Sequence, residues 1–324
     1  MERKKRIVIY GLGDNFYKMF TKRVADYLRS KFSIVGLVDK RKETQKNSYS
    51  EFKYCEHVSE VEFDYVCITS TKYYHEIKKE LLEQSVDESR ILPIKFWTEL
   101  YQESYLPIPL FSGVGVEIGG PSDIFQLVYN SKCICDGVNY NIETVWGDNS
   151  NAEYKWNNKV LGKQIIADAT NLKPIKDEVY DFVLSSNNLE HIANPLKAVS
   201  EFVRILKKDK PLIILVPCKE NSFDHKRENT TFDHLLDDYN KETLEDDLTH
   251  LPEILEKHDL MLDPLAGTLE EFTKRSIDNY KNRCLHHHVY SNELLECIAN
   301  YFHMEIRENT VFSNNYYLVA IKRG

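Results

Sequence analysis

Short β-branched runs alternate with longer stretches in which apolar residues recur at helical spacing. The first run, Arg6–Tyr10, leads through Gly11-Leu12-Gly13 into Asp14, and the spacing beyond it predicts a helix to about Ser30. A second run, Ile34–Val38, ends at Asp39, and Tyr65–Thr69 and Ile91–Ile94 are the next strand candidates. This alternation predicts a parallel sheet with right-handed crossovers. It stops near residue 103. Residues 104–112, with Pro107 and Pro109, read as a linker.

A second series opens at Val114. Val114–Ile118 reads as a strand, followed by a turn at Gly119-Gly120-Pro121-Ser122 and then a helix. Cys133–Cys135 reads as a short strand ending at Asp136, and Gln164–Ala167 as one ending at Asp168. Asp181–Ser185, a helix over Pro195–Leu206, and Leu212–Val216 follow, and Tyr316–Ile321 is the last strand candidate. The expected fold class is α/β, with two tandem Rossmann-like domains over 1–104 and 105–324. Residues from about 218 to 288 form an insert in the second.

Composition narrows the function classes. Hydrophobic residues make up 42% and charged residues 29%, an ordinary globular balance. The net charge of −9 disfavours a non-specific nucleic-acid binder. No apolar run approaches the ~20 residues of a membrane span. The basic N-terminus enters a strand instead of a signal-peptide core. Seven scattered cysteines without a CxxC pair suit a reduced, cytoplasmic chain better than a disulfide framework.

The charge is local. Residues 228–263 hold twelve acidic and two basic residues, which accounts for the whole imbalance. Seven of the eleven histidines lie close by: His225, His234, His250, His258, His286, His287 and His288. One reading is an acceptor site, since a neutral imidazole can take a proton near pH 7. A second is a divalent metal that lowers the pKa of an acceptor hydroxyl. A third is a solvated acidic surface whose histidines are satisfied by carboxylates. Thr249 can cap a helix with Pro252 in its first turn, which would put His250 and Glu253 on one face. In a strand, His286 and His288 would share a face opposite His287. Among proton acceptors His250 comes first, with His287 and His234 beside it.

Residues from about 114 to 217 resemble class I S-adenosylmethionine (SAM)-dependent methyltransferases of the type 11 kind. The carrying landmarks are Val116-Glu117-Ile118-Gly119-Gly120-Pro121-Ser122, Asp136, Ala167-Asp168-Ala169, Tyr180 to Ile192, and the helix Ala198 to Lys207. They occur in family order, each at a strand end or on a helix. The resemblance implies that Glu117, Gly119, Gly120, Pro121 and Ser122 surround the amino-acid part of SAM. It implies that Asp136 accepts from the ribose hydroxyls and that Asp168 and Ala169 face the adenine. Ser186 and Asn187 would lie near the transferred methyl. His191 reads as a packing or helix-start residue. The family's third glycine is replaced in the Pro121-Ser122 neighbourhood.

The first domain carries Gly11-x-Gly13 and Asp39, part of a dinucleotide fingerprint, with Phe16 at the third glycine position. It resembles small N-terminal domains of bacterial glycan-biosynthesis enzymes. Two readings stay open for it: nucleotide or nucleotide-sugar binding, and a docking or dimerisation module. The resemblances together imply SAM-dependent O-methylation of a sugar or nucleotide-sugar in surface polysaccharide biosynthesis. The implied partners are a small-molecule or glycan acceptor and, as an open question, a second copy of the chain. The alternatives are a metal-dependent small-molecule methyltransferase and a non-catalytic SAM-binding scaffold.

Overall fold

The structure, a computed structural model, describes residues 3–40 and 51–324. The chain falls into two compact units, one ending at Pro107 and one spanning Ile108–Gly324. Both are mixed α/β.

The first unit runs β1 (Lys5–Tyr10), α1 (Asp14–Met19), α2 (Lys22–Lys31), β2 (Phe32–Val38), β3 (Tyr54–Cys55), β4 (Tyr65–Ile68), α3 (Tyr74–Glu83) and α4 (Phe96–Tyr105). Its strands are all parallel, in the order β3-β2-β1-β4. The single helix expected after Asp14 is two helices. Thr21 starts the second by accepting a hydrogen bond from the Val24 amide, at 3.3 Å. Phe16, at the third glycine position, is fully buried and stacks on Phe20 at a centroid distance of 4.6 Å. The position is thus used for core packing. Of the expected strand Ile91–Ile94, only Ile91 pairs, as a bridge to Val66. Ser104, expected in a linker, is buried inside α4.

The second unit begins with β5 (Val114–Ile118), α5 (Gln126–Tyr129), β6 (Ile134–Asn139), and a small hairpin of β7 (Glu143–Thr144) and β8 (Gly147–Asp148). β9 (Glu153–Trp156), β10 (Lys159–Ile166), β11 (Phe182–Ser186), α6 (Pro195–Ile205) and β12 (Pro211–Pro217) follow. Four helices come next: α7 (Phe232–Lys241), α8 (Leu251–Lys257), α9 (Leu269–Ile277) and α10 (Asn279–Asn282). The chain closes with α11 (Asn292–Tyr301), β13 (Met304–Phe312) and β14 (Asn315–Lys322).

The sheet order is β13-β14-β12-β11-β5-β6-β10-β9. From β10 to β12 the pairing is parallel, whereas β14 lies antiparallel to β12. The chain builds outward from β5 to β6 and β10, then returns to place β11 and β12 on the other side of β5. That reversal leaves a crevice between the carboxyl ends of β5 and β11, where open α/β sheets bind ligands.

The apolar runs explain the central strands. β11 and β12 are almost wholly buried, as strands covered on both faces should be. α6 starts with Pro195 in its first turn and Asn194 as cap, accepting from the Lys197 amide at 3.1 Å. It lays Leu196, Val199 and Phe202 into the core at helical spacing. Two hairpins exceed the sequence pattern, which expected only the end of β10 and β14: β9 pairs with β10, and β13 with β14. Each turns on two residues with left-handed φ, Asn157-Asn158 and Ser313-Asn314. Among the described residues, no helix is long and apolar enough to cross a membrane.

Candidate active site at the carboxyl ends of the second sheet

A cavity of about 340 Å³ opens where β5, β6 and β11 end. Gly119, Gly120 and Pro121 form one wall, and Asn187 and Asn188 after β11 form another. Gly119 has φ +83°, and a Cβ there would stand 2.5 Å from Asn188 Oδ1. A Cβ on Gly120 would collide with the Glu117 carboxylate and the Tyr154 hydroxyl. The loop therefore needs both glycines, and its bare backbone faces the cavity.

Glu117 lies behind this loop and is fully buried. It accepts hydrogen bonds from the Tyr129 hydroxyl and, at 2.6 Å, from the Tyr154 hydroxyl. Burial pushes its carboxyl pKa up, against the pull of those hydrogen bonds. The Ser122 amide donates to the Tyr129 hydroxyl at 2.9 Å, so Ser122 also supports the loop from outside the cavity lining. Asn139, at the end of β6, donates to the Gly120 carbonyl at 3.2 Å.

Asp136 requires a correction. β6 does not end there but continues to Asn139. The Asp136 carboxylate is buried in mid-strand, accepting from the Lys163 amide at 2.8 Å and the Tyr180 hydroxyl at 3.0 Å. It does not line the cavity; Asn139 and Tyr140, beyond it, do. An Asp-Gly pair looks like a strand end in sequence, but Gly137 sits inside the sheet because Tyr154 fills the space a side chain would need.

Asp168 and Ala169 line the cavity. Asp168 Oδ1 accepts from the Thr170 amide at 2.9 Å, and Oδ2 meets Arg283 Nη2 at 3.2 Å. Arg283 also pairs with Glu245 Oε1 at 3.1 Å and lies over the Tyr140 ring at 5.2 Å. Burial pushes the Glu245 pKa up to about 7 despite this partner. Ser186 is buried and stays out of the lining, whereas Asn187 is in it.

The remaining wall is Thr144, Trp146 and Asp148 from the β7–β8 hairpin, and Glu153, Tyr154 and Lys155 from β9. No sequence reading pointed to this segment. The Asn-Asn turn of the β9–β10 hairpin was the available signal.

The histidines need a second correction. Among the described residues, His191 is the one histidine that lines the cavity. Its Nδ1 is 3.2 Å from the Leu285 carbonyl, and its ring packs edge-on to Trp146 at 5.2 Å. A carbonyl only accepts, so Nδ1 carries the proton and Nε2 keeps its lone pair. Burial holds the His191 pKa well below its usual value, so the ring is neutral at pH 7. The expected acceptors lie elsewhere. His234 and His250 face each other with their Nε2 atoms 3.0 Å apart. His287 is buried and pairs with the Asn279 amide at 3.0 Å.

The chain over 286–288 is not a strand, and the expected sharing of a face does not occur. His286 goes to Asp224 at 2.6 Å, and His288 approaches Asp238 at 3.7 Å. Thr249 does not cap α8, because its hydroxyl bonds Asp247; His250 takes the cap position. Glu253 pairs with Lys257 and Arg227. The insert over about 218–288 reaches the cavity through Glu245 and Arg283.

In the first unit, a second cavity of about 580 Å³ is lined by Gly11, Gly13, Asn15, Asp39 and the loop after β4. Asp39 accepts from the Leu12 amide at 2.6 Å, so part of its carboxylate holds the glycine turn.

Comparison with known proteins places these observations. Residues 3–92 match the family described as C2185-like, N-terminal. Residues 117–214 match the family described as methyltransferase domain. No curated protein matches the chain. Among solved structures, a SAM-dependent methyltransferase from Aquifex aeolicus is 13% identical, with 64% of this chain and 81% of that one covered and a TM-score of 0.36. SAM-dependent methyltransferases from Methanosarcina mazei give 14% identity, 65% and 92% coverage, and a TM-score of 0.37. The family match over 117–214 spans the glycine loop, β6, Asp168 and β11, and it supports a methyltransferase domain in the second unit.

Proposed function

We propose that the second unit transfers a methyl group from SAM to a hydroxyl oxygen of a sugar or nucleotide-sugar used in surface-glycan synthesis. The observation that carries the donor is the glycine-walled cavity at the switch point between β5 and β11. Its charged lining agrees: Asp148, Glu153, Asp168 and Glu245 outnumber Lys155 and Arg283, which suits a cationic sulfonium. When bound, SAM supplies an electrophilic methyl carbon.

The chain's own residues do the rest. Gly119 and Gly120 admit the donor to the backbone, and Arg283 ties Asp168 to Glu245 across one wall. His191 offers a neutral Nε2 lone pair to take the acceptor's proton as the new bond forms. Glu245, with a pKa near 7, is a second group that can hold that proton. Asn149, Asn151 and Asn187 line the cavity with paired donors and acceptors, and Trp146 gives an apolar ring face. These features favour a polyol acceptor.

The test is transfer of labelled methyl from SAM to a panel of nucleotide-sugars and glycan extracts, with the His191→Ala variant alongside. Turnover should fall by about 10²-fold or more in the variant. SAM affinity should stay within about threefold, since His191 is assigned to the acceptor. No transfer to any hydroxylated acceptor would contradict the acceptor class.

A further inference from the structure

We propose that His234, Asp238, His250 and His288 bind one divalent transition-metal ion, zinc before others. Nε2 of His234 lies 3.0 Å from Nε2 of His250 and 3.3 Å from Asp238 Oδ2. Asp238 Oδ2 is 3.7 Å from Nε2 of His288, and the four ligand atoms all fall within 4.8 Å of one another. Ligands at ~2.0–2.1 Å around a tetrahedral zinc stand about 3.3 Å apart, so small side-chain shifts complete the shell.

The sequence builds the site from three segments. His234 and Asp238 are four apart on α7 and share a face. His250 caps α8, and His288 comes from the extended chain before α11. Thr243 Oγ1 donates to Asp238 Oδ1 at 3.1 Å and fixes the carboxylate.

A second observation points to a ligand. Asp238 Oδ2 is buried and has no hydrogen-bond partner. An orphaned carboxylate oxygen aimed at three imidazoles is costly unless something positive sits among them. Nε2 of His288 also lies 3.2 Å from the Ala193 carbonyl. Ligation requires that nitrogen as an acceptor, with its proton moved to Nδ1.

Three imidazoles and one carboxylate suit zinc and its first-row neighbours, and disfavour calcium and magnesium, which take oxygen ligands. All four ligands come from the chain, the pattern of a closed structural site. The His234 side chain is 36% exposed, which leaves an entry path. The ion would join α7 and α8 to the segment carrying His287, which lies 3.6 Å from Glu245 in the cavity wall.

The test uses the full chain without a histidine tag, stripped with chelator, reloaded with zinc or cobalt(II), and desalted. The expected result is about one ion per chain by elemental analysis, and tetrahedral cobalt absorption in the visible. Asp238→Asn and His250→Ala should each weaken binding at least about 100-fold. His225→Ala, at a surface histidine paired with Asp259, should not. Below about 0.1 ion per wild-type chain, with the same melting temperature in zinc and in chelator, the proposal is overturned. It is equally overturned if a bound ion survives in both variants. The wild-type measurement decides even if a variant fails to fold.

Discussion

Asp136, in the middle of β6, accepts a 3.0 Å hydrogen bond from the hydroxyl of Tyr180, which precedes β11, and neither residue lines the cavity. The carboxylate is spent on structure. Asp136→Ala leaves the buried Tyr180 hydroxyl without its acceptor, at a cost of about 1–3 kcal/mol. The melting temperature should fall by several degrees. SAM affinity of the folded variant should stay within about threefold of wild type. Calorimetry on both proteins checks this, and a tenfold loss of SAM affinity with unchanged stability would return Asp136 to the site.

Gly119 and Gly120 should be the sharper probes. Gly119→Ala places a methyl 2.5 Å from Asn188 Oδ1 at a left-handed φ, and Gly120→Ala meets the buried Glu117 carboxylate. Both should reduce SAM affinity about tenfold or more, because the loop must shift into the space the donor needs. Circular dichroism guards against a trivial loss of fold.

Arg283 should matter through two walls at once. Arg283→Met keeps much of the stem packing on Tyr140 but releases Asp168 and Glu245. Turnover should fall, and the affinity for SAM should fall with it, about fivefold or more. A variant with normal SAM affinity would detach Asp168 from the donor site.

Glu190 supplies a pH signature. It is fully buried, both carboxylate oxygens lack a partner, and burial pushes its pKa up to about 7. Between the ordinary glutamate value and about 7, the folded chain keeps a proton that the unfolded chain has released. Stability contributed by the protonated carboxyl is therefore present at low pH and lost as pH rises through 7. The Glu190→Gln variant cannot ionise there. Its melting temperature relative to wild type should rise between pH 5 and pH 8, and a difference independent of pH would show Glu190 to be uncharged or solvated throughout.

Much of this was legible in the sequence, and the residues show why. β5, β11 and β12 are apolar runs buried on both faces, so composition alone marks them. Gly119 and Gly120 stood out because they follow such a run. β9 and the first half of β10 escape the sequence reading because they are half-exposed and polar; only Asn157-Asn158 betrays their turn. With that hairpin went Tyr154 and Lys155, and the preceding hairpin's Trp146 was missed as well. The histidine-rich segment showed density but not direction. Which histidine reaches the cavity depends on the fold of the insert, where long-range partners such as Asp224 and Leu285 decide each ring's orientation. His191, outside that segment, is the one that arrives.

The most direct test of the central claim is isothermal titration of SAM into the full chain, beside the Gly119→Ala variant. The account predicts one SAM per chain, bound through the cavity between β5 and β11, with the affinity lowered about tenfold or more in the variant. Absence of binding to the wild-type chain, or equal binding by both proteins, would contradict it.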